Sequence, residues 1–330
     1  MPQQVAVVTG GAGFIGSHMV DLLLDRGFDV RAIDNLACGR RENLAHQNGH
    51  PRLVFEARDV RDLRPGDPLL EGADYVFHFA GIGDIVPSIE RPTEYLSSNV
   101  MGTVCALEAA RWAKVKKFIY AASSSCYGLA TELPTTEQAP ISPQYPYALS
   151  KYLGEQAVMH WGKVYQLPVI SLRIFNAYGP RSRTTGAYGA VFGVFLAQKL
   201  AGKPFTVVGD GTQRRDFVFV TDLAKAFLLA AESDCTQDIF NVGAGQPQSV
   251  NRLVELLGGE VVHVPKRPGE PDCTWADTTR IRTMLGWVPT VSFEAGVKTM
   301  LGSIDDWRAA PVWDETAIAE ATASWFKYLK

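Results

Sequence analysis

Tyr147 and Lys151 stand four residues apart in the run Tyr-Ala-Leu-Ser-Lys. On a helix that spacing puts both side chains on one face, roughly 5–6 Å apart at Cβ, so the ammonium favours phenolate over phenol. A free tyrosine titrates near about 10 and is almost wholly protonated at neutral pH, whereas a neighbouring cation moves it toward the range useful for proton transfer. The pair is a candidate general base. Tyrosine and lysine also meet at this spacing on solvated helices, so the pair gains meaning only if a reactant is held beside it.

The N-terminus supplies that second signal. Thr9-Gly10-Gly11-Ala12-Gly13-Phe14-Ile15-Gly16 places glycines at 10, 13 and 16 where a strand-like run becomes a helical one. Glycine there permits a tight turn, lets a pyrophosphate approach backbone amides at a positive helix end, and allows close helix–strand packing. Asp34 ends the next apolar run, about twenty residues beyond the glycines, where a carboxylate accepts ribose hydroxyls and repels a 2′-phosphate. NAD is therefore expected over NADP. Arg40 and Arg41 could in principle receive a 2′-phosphate, but a solvated loop is the favoured reading. Asp59 and Val60, just past the third strand, are placed to meet adenine, or form a plain loop.

The elements that must carry these groups follow an α/β rhythm. Gln4–Thr9 is apolar and β-branched, Phe14–Arg26 has helical periodicity and Asp29–Ile33 is apolar again, a βαβ unit in about thirty residues. Further apolar runs at Leu53–Phe55, Tyr75–Phe79, Phe118–Ala122 and Val169–Leu172 alternate with long helical stretches over Pro87–Ala113 and Tyr145–Tyr165. Such alternation predicts a Rossmann-type doubly wound parallel sheet covered by helices on both faces. Beyond Asn176 come a Gly- and Arg-containing loop (Gly179 to Gly189), a helix near Val191–Leu200, strands near Phe205–Val208 and Phe217–Val220, and helices near Phe293–Trp307 and Thr316–Leu329. The expected division is an NAD-binding domain over 1–178, rejoined by 217–245, and a smaller α/β substrate lobe from 179–216 and 246–330.

Composition narrows the partners. With 330 residues, 46% apolar, 20% charged and a net charge of −3, no strong field points to nucleic acid or an anionic membrane. The cysteines, Cys38, Cys105, Cys126, Cys235 and Cys273, are odd in number and form no C-x-x-C pair, which argues against disulfides and a metal site and for a reducing cytoplasm. No signal segment is visible and no run reaches the ~20 apolar residues of a membrane span.

Taken in order, the motifs resemble the extended short-chain dehydrogenase/reductase family, specifically its nucleotide-sugar 4-epimerases. The resemblance covers essentially the whole length: the glycine turn, Asp34-Asn35-Leu36, His78-Phe79-Ala80-Gly81, Asn99-Val100-Met101-Gly102-Thr103, Ser123-Ser124-Ser125-Cys126-Tyr127-Gly128, Tyr147 and Lys151, Arg173-Ile174-Phe175-Asn176, Arg215-Asp216-Phe217, and Arg267-Pro268-Gly269-Glu270. It implies that Tyr147 is the base, that Lys151 also binds the nicotinamide ribose, and that Ser123 bridges a sugar hydroxyl and Tyr147. Asn35, Phe79, Ala80, Gly81 and Asn99 then join the cofactor set. Asn176, Arg215 and Arg267 fall where the family holds a diphosphate, a group that a guanidinium fork matches.

Two further features of the resemblance bear on the reaction. Related 4,6-dehydratases carry Asp and Glu where Ser124 and Ser125 stand here, and decarboxylating relatives keep a Glu. Without those carboxylates, the oxidised sugar is expected to turn over and take its hydride back on the other face, which is epimerisation. Thr274, seven residues after Arg267, is small where glucose/galactose-restricted relatives can carry Tyr, so room for a 2-N-acetyl group is expected. Asp84, in the loop after His78-Phe79-Ala80-Gly81, is expected to face the sugar. The resulting expectation is NAD-dependent epimerisation of UDP-N-acetylglucosamine/UDP-N-acetylgalactosamine or UDP-glucose/UDP-galactose by a homodimer paired through a four-helix bundle. UDP-glucuronate epimerisation, 4,6-dehydration, decarboxylation or net reduction, and a non-catalytic NAD-binding protein are the alternatives.

Overall fold

The computed structural model describes residues 3–184 and 190–329; part of the arginine-containing loop expected at 179–189 lies outside them. Seven parallel strands make the main sheet: β1 (Val5–Thr9), β2 (Asp29–Asp34), β3 (Leu53–Ala57), β4 (Tyr75–His78), β5 (Lys117–Ser123), β6 (Val169–Ile174) and β11 (Asp238–Val242). Their spatial order is β3-β2-β1-β4-β5-β6-β11. β1 has β2 on one side and β4 on the other, so the loops leaving β1 and β4 diverge. That divergence opens a crevice at the carboxyl ends of the strands.

Consecutive residues of each central strand feed two separate cores. Val8, Phe77, Ile119 and Ile170 pack with Met19, Val20 and Leu23 of α1 (Phe14–Asp25). Their neighbours Val7, Val76, Phe118 and Val169 pack on the other face with Ala106, Leu107 and Ala110. Burial on both faces explains why the strands read as unbroken apolar runs rather than alternating ones.

The long helix expected over Pro87–Ala113 is instead four pieces: α2 (Ile85–Glu90), α3 (Pro92–Tyr95), a π-helical segment Leu96–Met101, and α4 (Gly102–Ala113). Pro92 lacks an N–H and forces a restart at the first position of α3. α5 (Pro146–Tyr165) runs unbroken for 20 residues, with Pro146 again at its first turn.

From β6 the chain continues through β7 (Asn176–Tyr178), α6 (Val191–Leu200), β8 (Phe205–Val208), β9 (Arg214–Arg215) and β10 (Phe217–Phe219). α7 (Val220–Glu232) returns to the main sheet, adding Leu223 and Phe227 to the core beneath α1. After β11 come β12 (Gln248–Ser249), α8 (Val250–Leu257), β13 (Val261–Val264), α9 (Thr279–Leu285), α10 (Phe293–Gly302), α11 (Glu315–Ala321) and α12 (Ala323–Tyr328). The helix expected over Thr316–Leu329 is thus broken in two. A third core, rich in aromatic residues, joins Tyr178, Phe192, Phe195, Phe205, Phe217 and Phe293. Among the described residues no helix is long and apolar enough to cross a membrane.

Candidate active site

The glycine turn is built for close approach. Gly10 has φ +70°, and a Cβ there would lie 2.8 Å from the Ala80 nitrogen, while one on Gly16 would collide with the Gly10 carbonyl. Gly13 is the N-cap of α1 and offers no side-chain acceptor, and the first turn holds no acidic residue. The orphan amides at that helix start are therefore free for an anion such as a pyrophosphate. A dinucleotide fits this cradle.

Asp34 ends β2 with its carboxylate accepting from the backbone N–H groups of Leu36 (2.8 Å) and Ala12 (3.1 Å). Burial raises its pKa and these amides oppose the shift. At the far end Arg61 grips Asp59 through Nη2 (2.8 Å) and Nε (2.9 Å), and Asn35 donates to the same carboxylate at 2.8 Å. The Arg61 hydrogen bonds hold the Asp59 carboxyl well below its usual range. Asp59 is thereby engaged in shaping the turn that presents Val60.

A cleft of about 470 Å³ runs from this turn to the base. It is lined by Gly10, Gly13, Phe14, Ile15, Gly16, Asp34, Asn35, Asp59 and Val60, then Phe79, Ala80, Gly81 and Asp84, then Ser123, Tyr147 and Lys151. Arg40 also lines it, bonded to Thr184 Oγ1 at 2.9 Å. Asn99, expected at the cofactor, is buried behind the wall instead. It donates to the Ile82 carbonyl (3.0 Å) and Ser150 Oγ (2.8 Å) and accepts from the Ile82 N–H (2.8 Å). Its position on the π-helical segment lets it tie the loop after β4 to α5.

Ser123 ends β5 and lines the cleft together with Tyr147, the second residue of α5. Lys151 Nζ lies 4.4 Å from the centre of the Tyr120 ring. The expected lowering of the Tyr147 pKa by Lys151 is not what the protein shows on its own. Burial raises the Tyr147 pKa, with Ser123 opposing, and burial lowers Lys151 to about 7, with Glu155 opposing. Sharing one dry helix face favours the neutral form of both groups, and desolvation outweighs their mutual attraction. The positive N-terminal end of α5 pulls Tyr147 the other way.

The residues expected at the substrate divide. Asp84 lines the cleft but is paired with Arg183, Nη1 to Oδ2 at 2.5 Å. Ser124 and Ser125 belong to a 3-10 turn that does not line it, and Ser125 Oγ is 2.8 Å from Ser123 Oγ. Thr274 Oγ1 donates to Asn176 Oδ1 at 2.8 Å and accepts from the Asp216 N–H at 3.1 Å. Arg215 reaches Glu270 at 2.8 Å, and Arg267 lies 3.7 Å from the other oxygen of that carboxylate. Arg215 and Glu270 border a separate cavity of about 410 Å³ with Val208, Gln213 and Lys266.

Arg181 and Arg183 also line the cleft and were not singled out from sequence. Their signal is two arginines directly after a strand, at the carboxyl edge of a parallel sheet where ligands bind.

Comparison with known proteins agrees with this arrangement. The NAD dependent epimerase/dehydratase family model matches residues 6–243. A UDP-glucose 4-epimerase of Mycolicibacterium smegmatis is 36% identical over 300 residues, spanning 88% of this chain and 95% of its own. A solved UDP-N-acetylglucosamine 4-epimerase from Methanobrevibacter ruminantium M1, in complex with UDP-N-acetylmuramic acid, is similar with TM-score 0.85 and 33% identity, covering 92% of this chain and 100% of that one. A UDP-glucuronic acid 4-epimerase from Bacillus cereus, in complex with UDP-glucuronic acid and NAD, has TM-score 0.85 and 30% identity, covering 92% and 99%. The chain therefore belongs to the NAD dependent epimerase/dehydratase family, and NAD is its cofactor.

Proposed function

We propose that the protein interconverts the two carbon-4 epimers of a UDP-hexose, with UDP-N-acetylglucosamine/UDP-N-acetylgalactosamine preferred and UDP-glucose/UDP-galactose behind. One observation carries the reading. Every carboxylate lining the cleft is engaged: Asp34 by backbone amides, Asp59 by Arg61 and Asn35, and Asp84 by Arg183. The carboxylate that faces the base, Asp84, is held by Arg183, and Ser123 and Lys151 offer only a hydroxyl and an amine, so no free carboxylate is there to drive loss of water or carbon dioxide.

In this reading Tyr147, as phenolate, takes the proton of the 4-hydroxyl directly or through Ser123. NAD supplies the hydride acceptor at carbon 4 and returns the hydride. Lys151 holds positive charge near the phenolate, and Tyr147 gives its proton back once the 4-keto sugar has turned over. Arg215 and Arg267 exchange Glu270 for the substrate diphosphate. The small Thr274, tied to Asn176, leaves space beside carbon 2, which favours the N-acetylated sugars.

UDP-glucuronate is a second reading, because Arg183 lines the cleft and a guanidinium suits a carboxylate. Its pairing with Asp84 favours a neutral hexose. Incubation with NAD and UDP-N-acetylglucosamine, UDP-glucose, UDP-glucuronate and dTDP-glucose decides. The expected product is a UDP-hexose of unchanged mass and inverted carbon 4, and loss of water or carbon dioxide refutes epimerisation.

A homodimer is part of the proposal. Met101, Trp112, Leu149 and Leu153 are exposed on and beside α4 and α5, whereas Leu107 is used inside the subunit. Leu153→Glu is expected to give a monomer by light scattering, and an unchanged mass would place the interface elsewhere.

A further inference from the structure

Between β13, which ends at Val264, and α9, which starts at Thr279, the described residues 265–278 form no helix or strand. Side-chain and backbone contacts from elsewhere must therefore hold this stretch in place. Its middle is tied to β9, where the Arg214 N–H donates to the Asp272 carbonyl at 2.8 Å and Arg215 Nη1 donates to the Pro271 carbonyl at 2.8 Å. Its first part, which carries Arg267, is tied to α12. Trp325 Nε1–H donates to the Pro268 carbonyl at 2.7 Å, and the Arg267 guanidinium carbon lies 5.5 Å from the centre of the Trp325 ring. One side chain thus grips a backbone carbonyl and the cation of the residue before it.

Trp325 is itself held from several sides. It is 4% exposed, whereas Phe326 and Tyr328 on the same helix are 42% and 61% exposed, so burial is directed at this one ring. Its ring lies 6.1 Å from that of Tyr145, which directly precedes α5, and the neighbouring Ser324 Oγ donates to Glu90 Oε1 of α2 at 2.9 Å. α12 therefore reaches from the helix that follows Asp84, past the start of the helix that carries Tyr147, to Arg267. A tryptophan that only anchored a helix would be served by apolar neighbours; this one aims its N–H and its ring at two adjacent loop residues.

The arrangement suits an arginine that has to meet a phosphate. An aromatic ring attracts a guanidinium through its π charge and occupies none of its five N–H donors, so it fixes the cation while the planar fork can still engage oxygens. Glu270, 3.7 Å from Arg267, instead competes with a diphosphate for those donors.

We propose that Trp325 is a positioning residue for Arg267, so that α12 completes the side of the site that takes the substrate diphosphate. The inference rests on the reading of Arg267 as a diphosphate ligand given above.

The test uses the NAD-bound full chain with UDP as the probe, its affinity measured by calorimetry. Arg267→Ala is expected to weaken UDP binding about 10–100-fold. Trp325→Leu, which removes the ring and the N–H, should weaken it about tenfold, and Trp325→Phe, which keeps a ring over the cation, about threefold. In an Arg267→Ala background neither change at 325 should weaken binding further, because the group it positions is gone. With UDP-N-acetylglucosamine as substrate, KM should rise by the same factor while kcat stays within about twofold. Should Trp325→Leu fail to fold, seen as loss of bound NAD, Trp325→Phe measured with and without Arg267 decides alone. Wild-type affinity in the Trp325 variants, a loss equal with and without Arg267, or a fall in kcat with KM unchanged overturns the positioning role and leaves the proposed function standing. UDP binding that is indifferent to Arg267→Ala, or absent from the wild type, removes the reading of Arg267 and this inference with it.

Discussion

At the scale of single residues, the base is a matter of opposed terms. Burial favours neutral Tyr147 and neutral Lys151, whereas Ser123, the start of α5 and a positively charged nicotinamide ring favour the phenolate. The tyrosine thus depends on a full site to act, and removing its hydroxyl should spare cofactor binding. Tyr147→Phe is expected to lower kcat by about 10²–10⁴-fold while NAD, measured after denaturing the purified protein, stays at the wild-type ratio. Near-normal turnover would remove Tyr147 from the chemistry. Asp84 makes a second case, because its carboxylate already occupies the Arg183 guanidinium in the cleft. Asp84→Asn frees that guanidinium, and the preference for UDP-glucuronate over the neutral hexose should rise about tenfold, the worth of one charge-assisted hydrogen bond. A competition assay with both substrates reads the ratio directly, and an unchanged ratio would place the sugar away from Arg183.

Elements set where those residues meet. α5 lies against β5 closely enough that a Cβ on Gly154 would strike the Tyr120 hydroxyl, the same hydroxyl that donates to the Lys151 carbonyl at 3.1 Å. Gly154→Ala therefore has to lift the helix that carries the base. It should cost about 1–3 kcal/mol of stability, seen as a lower denaturation midpoint, and reduce kcat although residue 154 lines no part of the cleft. Full activity would mean that α5 shifts without moving Tyr147. Much of this scaffold is legible in the sequence: the glycine turn, α6 and β8 stand where periodicity puts them, since local pattern alone specifies them. The π-helical segment that keeps Asn99 out of the cleft lining is not legible, because it depends on how α5 and the loop after β4 share one amide. Nor is the mutual satisfaction of Asn176 with Thr274, or of Arg215 with Glu270. Residue type shows what a side chain can bind, and only the fold shows which neighbour reaches it first. Arg183 finds its partner 99 positions away.

Across the whole molecule, the segment leaving β7 is fastened to α1 by charge. Arg181, in the left-handed region at φ +63°, donates to Asp21 (2.6 Å), to His18 Nδ1 (3.0 Å) and to the Asn43 carbonyl (3.2 Å). Because Nδ1 accepts from Arg181, the other ring nitrogen carries the hydrogen and donates to the Pro180 carbonyl at 3.0 Å. The imidazole is thus wired as a neutral ring; burial, then the Arg181 charge, lowers its pKa from 6.5 to about 4. Above pH 6.5 neither the folded nor the unfolded chain protonates His18, and the stability it contributes is fully present. As pH falls from 6.5 toward about 4 the unfolded chain takes a proton that the folded one refuses, so stability is lost by up to about 1.4 kcal/mol per pH unit. Asp216, buried and raised to about 6, acts with the opposite sign, so the wild type alone mixes the two. The difference between wild type and His18→Gln isolates the histidine, since Asp216 is common to both. Denaturant unfolding of the two proteins across this range should show that difference flat above pH 6.5 and steadily less favourable to the wild type below it. A difference that stays constant down to about pH 4 would mean that Arg181 gives way and lets His18 charge in place, and the segment after β7 would then not be held to α1 by a neutral ring.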